Sequence, residues 1–225
     1  MFDVNTIRKD FPILSRQVNG KPLIYLDSGA TAQKPECVIE AVNRMHREQN
    51  ANIHRGVHHL SEEATSLYEQ ARERVRVYIG AAAREEIIFT AGATASINTV
   101  AYAWGEEFLH SGDNIIISEM EHHSNIVPWQ LIAQRKGVEL RVLPFEDDGR
   151  LMIEKLDELL DSKTRLVAVT QASNTLGTRP DLKTTIHHHH CTRRVSFVND
   201  LLQVGTRAES VGCLRNCHQT CLAIE

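Results

Sequence analysis

Residues 112–130 read GDNIIISEMEHHSNIVPWQ. Ile115, Ile116 and Ile117 stand in succession between Asn114 and Ser118, with no alternation of apolar and polar side chains. A strand of that composition needs apolar neighbours on both faces, as in a parallel sheet covered by helices on each side. The polar run Met120–Asn125 follows, then a helical stretch around Trp129–Arg135 that Gly137 closes. Val138–Leu143 reads as the next strand, which completes a strand–helix–strand unit.

The alternation continues outward. Upstream, Ile87–Thr90 is predicted as a strand running into Gly92 and a helix with an apolar face of Ile97, Val100, Ala101, Trp104 and Phe108. Two helices precede it. Pro35 opens one through Val38, Ala41, Val42 and Met45, and Ser61 is the expected N-cap of another that Gly80 stops. Ile24–Leu26 is a short apolar run ending in the turn formers Asp27, Ser28 and Gly29. Downstream, Asp147–Asp148–Gly149 is a turn, Leu151–Leu160 a predicted helix and Arg165–Thr170 a strand. The fold class is therefore α/β, a mostly parallel sheet flanked by helices. Past Leu182, Val195–Val198 and Leu201–Val204 are short apolar pieces without a period, so the sheet is predicted to end with Arg165–Thr170.

Composition narrows the function classes. The 225 residues are 42% hydrophobic and 24% charged, with a formal net charge of -4. That balance removes the bulk electrostatic case for a nucleic-acid partner. No apolar run approaches the roughly 20 residues that cross a bilayer, and the N-terminus MFDVNTIRKDFPIL lacks a secretory pattern. A reducing, cytoplasmic setting is expected. The five cysteines are unevenly placed: Cys37 stands alone before Leu182, and four follow it. This seam divides the chain into an expected domain over residues 1–182 and a differently composed tail over 183–225, which includes His187–His190.

Binding residues of a parallel sheet collect beyond the carboxyl ends of its strands. Four polar groups fall at such ends or in neighbouring turns. Thr90-Ala-Gly92-Ala-Thr94 either cradles a phosphate at a helix N-terminus or is a plain turn with a threonine cap. Within Met120–Asn125, a histidine either stacks on a flat ring and moves a proton or caps a turn; the adjacent His122 and His123 diverge too far to chelate a metal. Asn174, after Ser173, either hydrogen-bonds a ring substituent or closes an Asx turn. Asn52-Ile-His54-Arg55-Gly56 offers Arg55 as a carboxylate clamp or as an exposed loop cation.

The same residues carry a resemblance. DFPIL at 10–14, YLDSGATAQKP at 25–35, NIHRGVHHLS at 52–61, AGATASIN at 91–98, the 112–130 stretch and KTRLVAVTQASNTLGT at 163–178 occur in this order. Together they resemble the N-terminal portion of group II cysteine desulfurases of the SufS/CsdA type, in the class V aminotransferase family. The resemblance implies a partial fold-type I pyridoxal 5'-phosphate-dependent transferase large domain. Its reaction converts L-cysteine to L-alanine and leaves an enzyme-bound persulfide for iron–sulfur cluster assembly. By position, Thr94 resembles the phosphate-binding threonine, His122 the catalytic histidine stacked on the pyridine ring, and Asn174 the asparagine near the 3'-oxygen. Ser28, Gly29 and Ala30 match the turn lining the substrate pocket, and His54 and Arg55 the segment near the substrate entrance. Implied partners are L-cysteine, a sulfur-acceptor protein, and a second chain in a homodimer or a heterodimer with a full-length relative.

Departures accompany the match. Ala93, Ala95 and Ser96 replace the usual threonine, glutamate and glycine or serine, and Gln171 stands where a histidine is common. No segment past Leu182 matches the family's VDGAQ strand end, its SGHK lysine segment or its persulfide cysteine. Neither Lys163 nor Lys183 takes the lysine's place, and Asp200 lacks the VDGAQ context. The lysine anchors the cofactor and moves the alpha proton, so the expectation is a cysteine desulfurase-like chain inactive by itself. The alternative is a non-catalytic binding or assembly protein that pairs with a full-length relative. The tail is expected to be out-of-family sequence, from a frameshift, fusion or altered splicing. The spacing of Cys213, Cys217 and Cys221 is not a standard zinc pattern, and no metal site is assigned.

Overall fold

The computed structural model describes residues 3–180 and, as backbone, the strand Ser196–Asp200. The chain divides into two compact units, Met1–Ala71 and Arg72–Glu225. Among the described residues no helix is long and apolar enough to cross a membrane.

In the first unit, α1 (Val4–Lys9) begins at Asp3, whose carboxylate accepts the Asn5 N–H. A two-residue antiparallel ladder joins β1 (Gln17–Val18) and β2 (Lys21–Pro22). Asn19 and Gly20 turn between them with φ of 52° and 74°, the pair of positive values that a tight hairpin needs. Helix α2 (Glu36–Arg44) starts directly after Pro35 and continues as a π-helical turn, Met45–Gln49. Helix α3 (His59–Ile79) ends at Gly80, as the sequence predicts, with φ of 74°. Its start differs: the helix opens at His59, and Ser61 is not the N-cap. The Ser61 hydroxyl is committed elsewhere, accepting the Gly56 N–H at 3.0 Å and donating to the Asn52 carbonyl at 2.6 Å.

The second unit holds a four-stranded parallel sheet: β3 (Asn114–Ser118), β4 (Glu139–Leu143), β5 (Thr164–Thr170) and β6 (Ser196–Asp200), in the order β4-β3-β5-β6. Every residue of β3 is buried. Side chains alternate across the sheet. Ile115 and Ile117, with Leu166 and Ala168 of β5, pack with Ile97 and Val100 of α4 (Ala93–Phe108) and with Trp129 and Ile132 of α5 (Val127–Lys136). Ile116, Val167 and Val169 face the opposite layer, where Leu143, Leu151, Leu156 and Leu160 gather. Burying each such side chain stabilises the fold by roughly 1.5–3 kcal/mol. Gly137 closes α5 in the left-handed conformation, φ 68°.

Three expectations are corrected. Ile87–Thr90 is not one of the named strands of the sheet: among these residues only Ile87 is a bridge residue, and its carbonyl accepts from the Arg72 guanidinium at 3.1 Å. Leu151–Leu160 is helical only in a 3-10 turn, Ile153–Lys155, and in α6 (Leu156–Leu159). The chain stays extended through Leu151 because that residue bridges back to Phe145 across the Asp147–Gly149 turn. The sheet also does not end with β5. Strand β6 adds to it, with Leu166 opposite Ser196 and Thr170 opposite Asp200.

Candidate cofactor site at the carboxyl edge of the sheet

Strands β3, β5 and β6 end side by side at Ser118, Thr170 and Asp200. The turn after β3 is built around the Glu121 carboxylate, which accepts from the Ser118 hydroxyl. It also accepts from the Asn125 side-chain amide at 2.8 Å and the Thr170 backbone N–H at 2.6 Å. The Asn125 carbonyl oxygen in turn accepts the Trp129 indole N–H at 2.8 Å. Glu121 and Asn125 are both buried. The buried acidic residue had no role assigned from sequence. Its partners Ser118, Asn125 and Thr170 come from the end of β3, the 3-10 turn and the end of β5, and no sequence spacing marks them.

His122 caps the 3-10 turn His123–Asn125. Its Nδ1 accepts the Ser124 backbone N–H at 3.2 Å and lies 2.8 Å from the Ser124 hydroxyl. An acceptor Nδ1 leaves the ring proton of the neutral imidazole on Nε2. The His122 and His123 rings stand 6.0 Å apart at 76°. Among the described residues no three metal-binding side chains cluster.

Helix α4 supplies the second group. Gly92 precedes it with φ of 138°, a backbone state that favours glycine. The Thr90 hydroxyl pairs with the buried Ser96 hydroxyl and steadies this turn. The N–H groups of Ala93, Thr94 and Ala95 lack intrahelical acceptors and form a site for negative charge. Thr94 is exposed there. Helix α4 packs against the His123–Asn125 turn.

Asn174 is the third group. It is exposed in a turn that Ser173 closes: the Ser173 hydroxyl accepts the Leu176 N–H at 3.1 Å, and its N–H donates to the Thr178 carbonyl at 3.0 Å. Gln171, just past the end of β5, has a buried side-chain oxygen with no hydrogen-bond partner among the described residues.

His122 thus follows β3 and Asn174 follows β5 at the carboxyl edge, while α4, with Thr94 in its first turn, packs against the His123–Asn125 turn. The remaining sequence-predicted residues belong to Met1–Ala71. Ser28, Gly29 and Ala30 form a turn in which the Ala30 N–H bonds Asp27, while the Tyr25 hydroxyl donates to the Asp27 and Thr31 carbonyls. His54 holds a φ of 60°, its N–H donates to the Thr65 hydroxyl at 2.9 Å, and its Nε2 lies 3.2 Å from Glu69. Arg55 is exposed beside it. The tail residues Cys191, Cys213, Cys217, His218 and Cys221, with His187–His190 and Lys183, lie outside the described residues.

Charge at the amino edge is organised differently. Lys163 immediately precedes β5, and its carbonyl accepts the Asn114 N–H at 3.0 Å. Burial acts to raise the pKa of Asp161. Hydrogen bonds from the Lys163 N–H, from Asn114 and from Arg141 outweigh it and lower the pKa to about 2.

The family model for aminotransferase class-V matches residues 24–208, past the seam at Leu182. A cysteine desulfurase of Pectobacterium carotovorum is 50% identical over 198 residues, covering 88% of this chain and 49% of that protein. The solved cysteine desulfurase CsdA of Escherichia coli aligns with a TM-score of 0.73 and 34% identity, over 88% of this chain and 48% of that one. The apo cysteine desulfurase of Thermococcus onnurineus aligns with a TM-score of 0.82 and 34% identity, over 95% and 51%. The chain spans about half the length of these relatives.

Pyridoxal 5'-phosphate is the cofactor this family implies, and the residues fit it in part. The open amides of α4 with the Thr94 hydroxyl suit a dianionic phosphate, and the buried Gln171 oxygen, without a hydrogen-bond partner among the described residues, suits a polar heterocycle. Lys163 lies at the opposite edge, so it is no covalent anchor for that cofactor.

Proposed function

Since the chain belongs to the class-V aminotransferase family, we propose that its carboxyl edge is the cofactor-holding part of a cysteine desulfurase site. The N-terminus of α4 and the Thr94 hydroxyl bind the phosphate, His122 covers one face of the ring, and Asn174 hydrogen-bonds the ring oxygen. By resemblance, Ser28, Gly29 and Ala30 correspond to the family turn that lines the L-cysteine pocket, and His54 and Arg55 to the segment near its entrance. The reaction is conversion of L-cysteine to L-alanine, with the sulfur left as a persulfide and passed to an acceptor protein for iron–sulfur cluster assembly. The bound cofactor supplies the electron sink for that chemistry. His122, with its proton on Nε2, holds a transferable proton at the exposed side of the ring.

The observation that supports this reading is that His122 and Asn174 follow neighbouring strand ends, with the α4 N-terminus packed against the His122 turn, in a chain 50% identical to a cysteine desulfurase. Among the described residues no lysine stands at that edge, so these residues hold the cofactor without a covalent link, and turnover is not expected from them alone. A second reading is an assembly protein that pairs with a full-length relative. It is favoured by the apolar surface of Met1–Ala71, where Leu26 and Val57 are 92% and 99% exposed.

Alanine release from L-cysteine, measured with added pyridoxal 5'-phosphate on the chain alone and mixed with a full-length desulfurase, tests both. No release by the chain alone is expected, and substantial turnover by it overturns the expectation that it is inactive by itself. A heavier complex with no gain in alanine supports the assembly reading.

A further inference from the structure

We infer that Glu121 is the positioning residue for His122, fixing its ring by tying the turn after β3 to the end of β5. Three donors from three places converge on this one buried carboxylate: the Ser118 hydroxyl, the Asn125 amide and the Thr170 backbone N–H. Asn125 is also fixed to His122 directly, because its backbone N–H donates to the His122 carbonyl at 2.8 Å. His122 is therefore held on both sides, by Glu121 before it in the chain and by Asn125 across the turn. The consequence is the cap in which Nδ1 accepts from Ser124 and Nε2 keeps the proton.

The chemistry requires a carboxylate. Two oxygens without hydrogens accept all three donors. A glutamine of the same shape turns one oxygen into an N–H donor, which then faces a donor of Ser118, Thr170 or Asn125. One buried donor loses its partner, and the turn must shift. The importance of the ring's orientation rests on reading His122 as the group that faces the cofactor ring.

The test is made on the full chain with no cofactor added. Two-bond proton–nitrogen correlation spectra read the His122 tautomer, and thermal unfolding reads the fold. The unaltered chain is expected to show His122 as a single Nε2–H tautomer, and folded Glu121→Gln to lose that pattern. Asp113→Asn, which removes a buried carboxylate at the other edge of the sheet, is expected to lower the unfolding temperature and leave His122 unchanged. A folded Glu121→Gln with the unaltered His122 pattern overturns the inference. If that variant does not fold, Ser118→Ala decides: it deletes one donor to the carboxylate, and an unchanged His122 pattern overturns the inference equally. Pyridoxal 5'-phosphate binding by the same unaltered chain is recorded separately. Its absence counts against the cofactor reading and leaves the Glu121–His122 linkage standing on the spectra.

Discussion

Gly56 lies so close to Ser61 that a Cβ on it would stand 2.7 Å from both the Ser61 Cβ and Oγ. The contact is the reverse side of the hydrogen bond from the Gly56 N–H to the Ser61 hydroxyl. Ser61 is buried near the start of α3, so it cannot retreat. The loop carrying His54 and Arg55 is thus seated on α3 by a residue pair that tolerates no extra atom. Gly56→Ala is expected to destabilise the folded chain by roughly 1–3 kcal/mol, the usual cost of overpacking. A urea titration with an unchanged midpoint would contradict this.

Trp129 is fully buried, and its indole N–H is donated to Asn125. Trp129→Phe leaves the Asn125 oxygen without that donor. The orphaned acceptor costs about 1–3 kcal/mol, apart from any lost packing. Denaturant unfolding of this variant is expected to show the loss, and a stability equal to that of the unaltered chain would remove Asn125 from the network.

Asp161 gives stability a defined pH dependence. Its folded pKa, about 2, lies below the ordinary 3.8. The ionised form is therefore favoured by folding. That contribution is complete above about pH 4 and is lost as pH falls towards 2. Asp161→Asn should unfold at a lower temperature than the unaltered chain at pH 6, with the gap closing between about pH 4 and 2. A gap that stays constant across this window would show that the carboxylate's charge is not the source.

Thr94 tests the phosphate end. Removing its hydroxyl in Thr94→Val takes away one hydrogen bond while the α4 backbone amides remain. Affinity for pyridoxal 5'-phosphate is expected to fall by about three- to tenfold, the equivalent of ~1 kcal/mol. Equilibrium dialysis reads the change. An unaltered affinity would place the phosphate elsewhere.

Much of this architecture was legible before any coordinates. Ile115–Ile117 announced a doubly covered strand, and the layers confirm it: Ile115 and Ile117 face α4 and α5, while Ile116 faces α6. Gly80 and Gly137 marked helix ends because both need positive φ. What escaped was decided by distant partners. Residues 196–200 show no period of their own and form β6 only because β5 offers a free edge. Ile87–Thr90 has strand composition, yet among these residues only Ile87 is a bridge residue. At the site, Thr94, His122 and Asn174 were each ambiguous alone; His122 and Asn174 follow neighbouring strand ends, and α4, with Thr94 in its first turn, packs against the His123–Asn125 turn. Glu121 was overlooked because an acidic residue in a polar run reads as solvent-facing until its three donors are seen.

On the proposed function, this edge recognises a phosphate-bearing ring. Equilibrium dialysis of the full chain against pyridoxal 5'-phosphate and against pyridoxal measures it directly. Saturable binding at least about tenfold tighter for the phosphorylated form is expected, weakened in both Thr94→Val and His122→Ala. Equal affinity for the two ligands, or no saturable binding of either, would contradict it.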